Sequence, residues 1–214
     1  MTTEIELKYL IPANHEEYDL VVGEITAMLT AQNDTFTLSK KQLQNDYFDN
    51  KSLALRKMDM GLRIRGIDQE YEQTIKTAGK VDGCLHKRPE YNADIESSDL
   101  DLSLFPKPIW PENLDITNLQ DSLEVIFSTN FSRQTWLITK ETSVIELALD
   151  RGEISTLGNE EKCAINELEI ELVSGDEQAL FKLAEELMAF IEMKPGKLSK
   201  AARGYALYHQ RDKS

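Results

Sequence analysis

Charged side chains recur at every second position in two segments that have the alternation of β-strands. The N-terminal segment EIELKYLI, residues 4–11, places Glu4, Glu6 and Lys8 on one face and apolar side chains on the other. Near the other end of the chain, NELEIEL aligns three more carboxylates: Glu167, Glu169 and Glu171. Side chains two residues apart point to the same side of a strand. Such rows supply the hard oxygen ligands that Mg²⁺ or Mn²⁺ prefers.

Arginine and lysine follow the same alternation in the middle of the chain. GLRIRGI, residues 61–67, places Arg63 and Arg65 on one face, and YEQTIK places Lys76 beside Glu72. Further charges stand in extended segments: Arg88, Glu90, Arg133, Glu146 and Asp150. Guanidinium groups bind phosphate through two-pronged contacts. Acids at the ends of the chain and cations in its middle therefore suit a polyphosphate that arrives with a divalent metal.

The elements that must position these charges are mostly strands. Alternation predicts extended segments at 4–11, 36–49, 61–67, 70–76, 86–95, 125–139, 143–150 and 164–173. Helical spacing of apolar residues follows two predicted capping boxes, Asn14 with Glu17 and Ser174 with Glu177, and a short helix is predicted at the C-terminus. We predict an α+β protein in which about eight mostly antiparallel strands form a closed or nearly closed β-barrel with helices packed outside, although the lengths of the connections also fit a curved sheet.

The direction in which the charged faces point has two interpretations. They could face solvent and pair across strands, or they could turn inward and line a water-filled tunnel while the apolar faces pack against helices. Helices able to cover the apolar faces are present, and the two signs of charge are segregated, so we favour the tunnel. The acidic, proline-rich segment 96–121 is predicted to be a surface excursion that either shields a tunnel mouth or only connects strands.

Composition excludes several classes of partner. A net charge of −14 argues against nucleic-acid binding and against docking on anionic membranes. Cys84 and Cys163 have no metal-binding or disulfide spacing, and no signal-peptide pattern or long apolar run is present, so we expect a cytoplasmic protein. The histidines, His15, His86 and His209, lack ligand spacing and are predicted to lie at the surface or beside the site.

Several segments together carry a family resemblance. EIELK resembles the ExExK signature of the CYTH domain of triphosphate tunnel metalloenzymes, whose fold is an eight-stranded antiparallel β-tunnel. The segments MGLRIRG, FSTNFSR, IELALDRGEI, ELEIELVSGD and LSKAARGY, together with YEQTIKTAGKVDGCLHKRPEY, resemble the bacterial inorganic triphosphatase branch in the expected order. Members of that branch often carry a second, helical CHAD domain. We expect residues 1–214 to be a single CYTH-like tunnel domain without it.

The resemblance implies a role for each charged residue. The implied metal ligands for Mg²⁺ or Mn²⁺ are Glu4, Glu6, Glu146, Glu167, Glu169 and Glu171. The implied triphosphate-binding residues are Lys8, Arg63, Arg65, Lys76, Arg88, Arg133, Lys200 and Arg203, with the last two closing one end of the tunnel. The residues implied to take most direct part in catalysis are Glu169, Glu171, Lys8 and Arg63. Glu90 is expected to orient neighbouring cations.

The predicted reaction is metal-dependent hydrolysis of inorganic triphosphate to pyrophosphate and phosphate. One ion would bridge phosphate oxygens, and a second, nearer Glu169 and Glu171, would activate the attacking water. Two alternatives stay open. One is a class IV adenylyl cyclase or a thiamine or nucleoside triphosphatase of the same family, acting on ATP or another triphosphate, although no clear aromatic clamp is seen among the inward positions. The other is a non-catalytic polyphosphate-binding module.

Overall fold

A computed structural model describes residues 2–12, 17–67, 70–158 and 160–211. The strands are β1 (Thr2–Leu10), β2 (Thr35–Asp49), β3 (Gly61–Ile67), β4 (Glu70–Lys76), β5 (Lys80–Asp82), β6 (Leu85–Ile95), β7 (Glu124–Lys140), β8 (Ser143–Ser155), β9 (Cys163–Ser174) and β10 (Lys194–Pro195). The helices are α1 (Tyr18–Ala31), α2 (Ala54–Lys57), α3 (Ile116–Ser122), α4 (Gln178–Met188) and α5 (Lys200–Arg211), with 3₁₀ turns at Leu102–Leu104 and Lys107–Ile109.

Eight of these strands close into an antiparallel barrel. Hydrogen-bonded neighbours follow the order β1-β9-β8-β7-β2-β3-β4-β6, and β6 pairs back onto β1. The two shortest strands extend the edges of this ring, with β10 on β1 and β5 on β6. Closure gives every strand an inner and an outer face. The predicted α+β fold with an eight-stranded antiparallel barrel is therefore confirmed.

Apolar side chains on the outer faces pack against α1 and α4. From the barrel, Leu7, Trp136 and Leu168 contribute to this core, and α1 and α4 supply Ile25 and Leu183. These five side chains are no more than 1% exposed. Burying a side chain of this size contributes roughly 1.5–3 kcal/mol each, so the outer faces stabilise the barrel and leave its polar faces turned inward. None of the described helices has the length and apolar character needed to cross a membrane.

The acidic excursion after β6 covers the outside of the barrel. Leu102, Phe105, Trp110 and Leu119 are buried against Leu62 and its neighbours. The segment therefore completes the apolar shell over β3 and β4. Its acids and prolines stay at the surface, whereas the few apolar residues between them anchor it.

The predicted capping boxes have different outcomes. Asn14, like His15, lies outside the described residues. The Ser174–Glu177 box is wrong: Ser174 ends β9, and Glu177 stands before α4 without a capping hydrogen bond from its side chain. Asp176 has the capping contact instead, since the backbone N–H of Gln178 donates to its Oδ1 at 2.9 Å. The carboxylate of Glu177 binds Lys87.

Helix α5 lies across one end of the barrel. Tyr205 and Leu207 pack with Phe127 and Phe131, whose β7 positions share the inner face with Arg133. A Cβ at Gly204 would lie 2.3 Å from ring atoms of Phe127, so only glycine permits this close approach. The packing fixes the helix start, and with it Lys200, at the barrel interior.

A buried aspartate ties α5 to the β2–α2 turn. Asp49 is fully buried and accepts hydrogen bonds from the backbone N–H groups of Asn50, Leu55 and Arg56 and from the Tyr205 hydroxyl. We expect Asp49→Ala to destabilise the fold by about 3 kcal/mol, because several donors lose a charged acceptor. Tyr205→Phe removes one of these bonds and should cost about 1 kcal/mol. Urea denaturation of both variants checks the difference, and equal losses would contradict it.

Candidate functional site

A cavity of about 200 Å³ occupies the barrel interior, and we call it the bore. The predicted site residues line it with the exception of Glu167 and Arg203. Those that line it are Glu4, Glu6, Lys8, Arg63, Arg65, Lys76, Arg88, Arg133, Glu146, Glu169, Glu171 and Lys200. Residues from seven strands and one helix that are far apart in sequence thus share one enclosed space.

The acids of the two chain ends meet because β1 and β9 are neighbours in the barrel. Glu6 lies opposite Glu171 in the strand register, and Glu146 of β8 lies opposite Glu171 on the other side. Lysines and arginines come mainly from the other arc, where β3, β4 and β6 are adjacent. The bore therefore has an acid-rich wall that faces a cation-rich wall.

Glu169 is the most heavily paired acid in the bore. Arg133 lies 2.6 Å and Lys200 2.9 Å from its carboxylate, and Lys8 binds it as well. Burial alone would raise its pKa, but Lys200, Lys8 and Arg133 outweigh that effect and hold the pKa of Glu169 well below its ordinary value. Glu169 is therefore ionised at any physiological pH.

Asp150 and Glu167 anchor the cations behind this group. Nε and Nη2 of Arg133 each lie 2.7 Å from one oxygen of the Asp150 carboxylate. The Nζ of Lys200 also lies 2.7 Å from this carboxylate. Glu167, fully buried, contacts Lys200 at 3.1 Å and Arg203 at 2.5 Å. Glu167 and Arg203 thus bind one another beside the bore and connect α5 to β9, which positions Lys200.

Two other carboxylates of the bore, Glu171 and Glu6, have little positive charge close to them. Glu171 has no lysine or arginine within 4.0 Å among the described residues, and Glu6 contacts Lys8 at 3.4 Å. Burial, reinforced by Glu4 and Glu6, raises the pKa of Glu171 to about 8. Burial also raises the pKa of Glu6 to about 7, against the opposing effect of Lys8. A bound cation would lower these two pKa values and stabilise the charged carboxylates.

The cation-rich wall contains arginines with free hydrogen-bonding capacity. Arg65 donates to Asn45 at 2.8 Å but has no carboxylate within 4.0 Å in the described parts of the chain. Burial and the neighbouring Arg63 and Arg133 lower its pKa to about 10. The Nε of Arg63 is buried without a hydrogen-bond partner. An anion in the bore would satisfy both groups.

Lys76 is shared between two acids. Its Nζ lies 2.6 Å from both oxygens of Glu4 and 3.0 Å from Glu90. Glu90 is also 4.0 Å from Arg63, so the neighbouring cations that it contacts are Lys76 and Arg63. On the other side of the wall, Arg88 is held by the Thr77 carbonyl at 2.5 Å and by Asp59 at 3.2 Å.

Some lining residues were not predicted from the sequence. Tyr47 and Phe131 line the bore, as do His86 and Ser199. Alternation along β2 and β7 places both aromatics on inner faces, so the expectation that no aromatic clamp stands among the inward positions overlooked them. Tyr47 stacks on Phe127 with ring centroids 4.5 Å apart. The His86 ring lies 3.1 Å from the Gly196 carbonyl, whereas His209 is exposed.

The donor set fits a divalent metal in its chemistry. Glu4, Glu6 and Glu171 are carboxylates on adjacent strands, and two of them have raised pKa values. Among the described residues, no three acidic, histidine or cysteine side chains are already gathered as a coordination sphere. Lys76 occupies both oxygens of Glu4. Anionic phosphates would compete for Lys76 and release that carboxylate.

A closed barrel whose interior carries facing acidic and basic walls defines a tunnel protein with a charged bore. The CYTH domain matches residues 2–205, and the chain belongs to this family. It is 40% identical over 176 residues to the inorganic triphosphatase of Haemophilus influenzae. That match covers 80% of this chain and 48% of the relative, so the chain spans about half of the relative's length.

Solved structures share the fold at lower identity. A Hippeastrum protein studied as an adenylyl cyclase and reported to have a dominant triphosphatase activity has a TM-score of 0.66 at 18% identity, and the match covers 97% of this chain and 95% of that one. A Pyrococcus horikoshii protein has a TM-score of 0.57 at 20% identity, covering 95% and 98%. At these identities the likeness shows the fold alone.

Proposed function

We propose that the protein hydrolyses inorganic triphosphate to pyrophosphate and phosphate with Mg²⁺ or Mn²⁺ as cofactor. The observation that carries the proposal is the coexistence in one bore of acids and cations that lack partners. Glu171 has no cation within 4.0 Å, and Arg65 has no carboxylate within 4.0 Å, among the residues described. A metal–polyphosphate complex compensates both. The family membership and the 40% identical triphosphatase support the same reaction.

In this mechanism the protein positions the substrate and offsets its charge. Arg63, Arg65 and Lys76 bind phosphate oxygens, and fixed cations of this kind stabilise the charge that spreads over the transferring group. Glu169, kept ionised by its three cations, accepts a hydrogen bond from the attacking water and orients it. The water oxygen joins the terminal phosphorus, the bridging P–O bond breaks, and the protons of the water pass to oxygens of the released phosphate and pyrophosphate.

The metal site of this proposal consists of Glu4, Glu6 and Glu171, with Glu146 beside them. A bound Mg²⁺ or Mn²⁺ supplies charge neutralisation and a lowered pKa for bound water. Glu169 is less suited to bind it directly, because Lys8, Lys200 and Arg133 occupy both of its oxygens. Glu167 does not line the bore: its Oε1 binds Lys200 and Arg203, and its Oε2 is buried without a hydrogen-bond partner among the described residues. We further propose that the protein acts in the cytoplasm, since both cysteines are free.

A bare triphosphate fits the bore better than a nucleotide or thiamine triphosphate. The two aromatic side chains on the bore wall, Tyr47 and Phe131, are 7% and 1% exposed. Phe131 contacts Arg133 and Lys200, and Tyr47 is stacked on Phe127. Both rings are therefore engaged in packing and leave no slot into which a base could stack.

Phosphate release from tripolyphosphate, ATP and thiamine triphosphate, each with Mg²⁺, Mn²⁺ or no metal, tests the function. We expect tripolyphosphate with metal to be hydrolysed fastest and EDTA to abolish turnover. Preference for ATP with a cyclic product would instead establish an adenylyl cyclase. Tight polyphosphate binding in EDTA with no turnover under any metal would establish a binding module.

Metal binding should release protons near neutral pH. The pKa values of Glu6 and Glu171, about 7 and about 8, lie above the ordinary value for glutamate, so the folded protein holds protons that the unfolded chain loses. Stability of the metal-free protein should therefore fall as pH rises from about 5 to about 8. Bound metal displaces these protons.

Titration calorimetry with MnCl₂ in buffers of different ionisation enthalpy measures the released protons. We expect a clear release at pH 7 that disappears above the raised pKa values. Glu171→Gln should release fewer protons than the parent protein under the same conditions. A heat that is identical in all buffers at pH 7 would contradict the expectation.

A further inference from the structure

A second groove lies outside one end of the bore and is lined mainly by cations. We call it the mouth groove, and its basic residues are Arg56, Lys80, Lys87, Arg88 and Lys197. Asp59 is the acid among the described residues that line it. The whole chain has 38 acidic and 24 basic residues, so this surface is positively charged on a protein whose net charge is negative. A local positive potential attracts anions even when the net charge is negative.

Three of these cations have no acidic partner among the residues that the structure describes. Lys87 binds Glu177 at 2.6 Å and Arg88 binds Asp59 at 3.2 Å. The others, Arg56, Lys80 and Lys197, are exposed and have no carboxylate within 4.0 Å in the parts of the chain that the structure describes. The charge of the groove is therefore largely uncompensated.

The mouth groove continues the cationic wall of the bore. Arg88, His86 and Ser199 line both spaces. Arg88 is held at this boundary by the carbonyl oxygens of Thr77 and Asp59, at 2.5 Å and 3.1 Å. A Cβ at Gly79 would lie 2.5 Å from the Lys87 carbonyl, so glycine allows the segment before Lys80 to pack tightly on β6. The groove is thus built into the rim of the barrel.

The side chains of the groove select phosphate over an organic group. No phenylalanine, tyrosine or tryptophan of the described residues lines it, and its exposed apolar side chain is Val81. A base or a ring would therefore find none of these three aromatic side chains to stack on in the described part of the groove. A row of phosphates would instead find lysine and arginine at successive positions.

We propose that the mouth groove is an outer phosphate subsite for linear inorganic polyphosphate. It holds the part of the chain that projects beyond the three phosphates in the bore, so the protein binds longer chains through more cations than triphosphate itself. The inference rests on the proposed function, in which the bore holds a triphosphate unit.

Titration calorimetry in EDTA, where turnover is absent, tests the subsite with tripolyphosphate, tetrapolyphosphate and a longer linear polyphosphate. The double variant Lys80→Ala/Lys197→Ala should bind the longer chain about tenfold more weakly, while its affinity for tripolyphosphate changes less than about twofold. The matched control is Lys162→Ala/Lys182→Ala. It removes the same charge from lysines paired with Glu153 and Glu141, which do not line the groove.

The outcomes separate the subsite from the function of the bore. Loss of affinity that depends on chain length, in the groove variant and not in the control, supports the subsite. Equal effects on both chain lengths, or equal effects of the two double variants, overturn it. If the parent protein binds the longer chain but not tripolyphosphate, the bore proposal fails, and with it the groove as a continuation of the bore.

Discussion

Replacing Glu171 with glutamine is expected to lower triphosphate turnover on the order of a hundredfold and to raise the melting temperature of the metal-free protein. Loss of activity together with gain of stability is the signature of a group held in an unfavourable environment for function. Glu171 has no cation within 4.0 Å in the described parts of the chain, and Glu4 and Glu6 add repulsion to the cost of its burial. Glutamine keeps the shape and removes the charge.

The expected stabilisation has a defined pH dependence. The pKa of Glu171, about 8, exceeds the ordinary value, so the charged form is the one that the fold disfavours. The gain should be absent at pH 4 and complete above pH 8, where we expect about 2–4 °C in melting temperature. Thermal unfolding in EDTA across this range, combined with phosphate release in Mg²⁺, measures both effects.

Glu169→Gln is the matched control on the same strand. It also neutralises a carboxylate of the bore, but Lys8, Arg133 and Lys200 then lose a common partner. We expect it to lower both turnover and stability. A Glu171→Gln protein that melts below the parent at high pH, or that gains as much stability from Mg²⁺ as the parent does, would contradict the assignment of Glu171 to the metal.

The alternating pattern of the sequence predicted strands in a closed or nearly closed barrel, and the resemblance to the CYTH domain supplied the closed eight-stranded form. A row such as Glu167, Glu169 and Glu171 has apolar residues between its members, and a closed barrel with an apolar exterior brings several such rows together in its interior. The same pattern could not rank the three acids. In the structure, Glu167 binds Arg203 beside the bore, Glu169 is held by three cations, and Glu171 is free of them.

The difference arises from tertiary contacts that strand alternation does not encode. The register of β9 against β1 and β8 and the position of α5 decide which lysine reaches which carboxylate. The position of the excursion at 96–121 also depends on tertiary contacts that the sequence pattern does not predict. Its acids and prolines dominate the pattern, whereas Phe105 and Trp110, spaced irregularly, decide that it covers the outer wall.

Two arginines of the bore should respond oppositely to the same substitution. Arg65→Met removes a buried cation whose pKa is lowered to about 10 and which has no carboxylate within 4.0 Å in the described ranges, so we expect the metal-free protein to become more stable. Arg133→Met removes the main cation of Asp150, which is fully buried, and one of the three cations that bind Glu169. Breaking a buried pair in this way should cost roughly 3–5 kcal/mol.

Affinity for the substrate separates the two roles further. Tripolyphosphate binding in EDTA should weaken about tenfold or more in Arg65→Met, because a charge-assisted contact to phosphate is lost, and Arg65→Lys should restore part of it. Urea denaturation and calorimetry of the three variants measure stability and affinity in the same samples. If Arg65→Met loses as much stability as Arg133→Met, then Arg65 supports the fold and is not reserved for an anion. The two stability changes have opposite signs for one physical reason. Charges that are paired in the fold stabilise it, whereas buried charges without a partner cost stability until metal and phosphates bind.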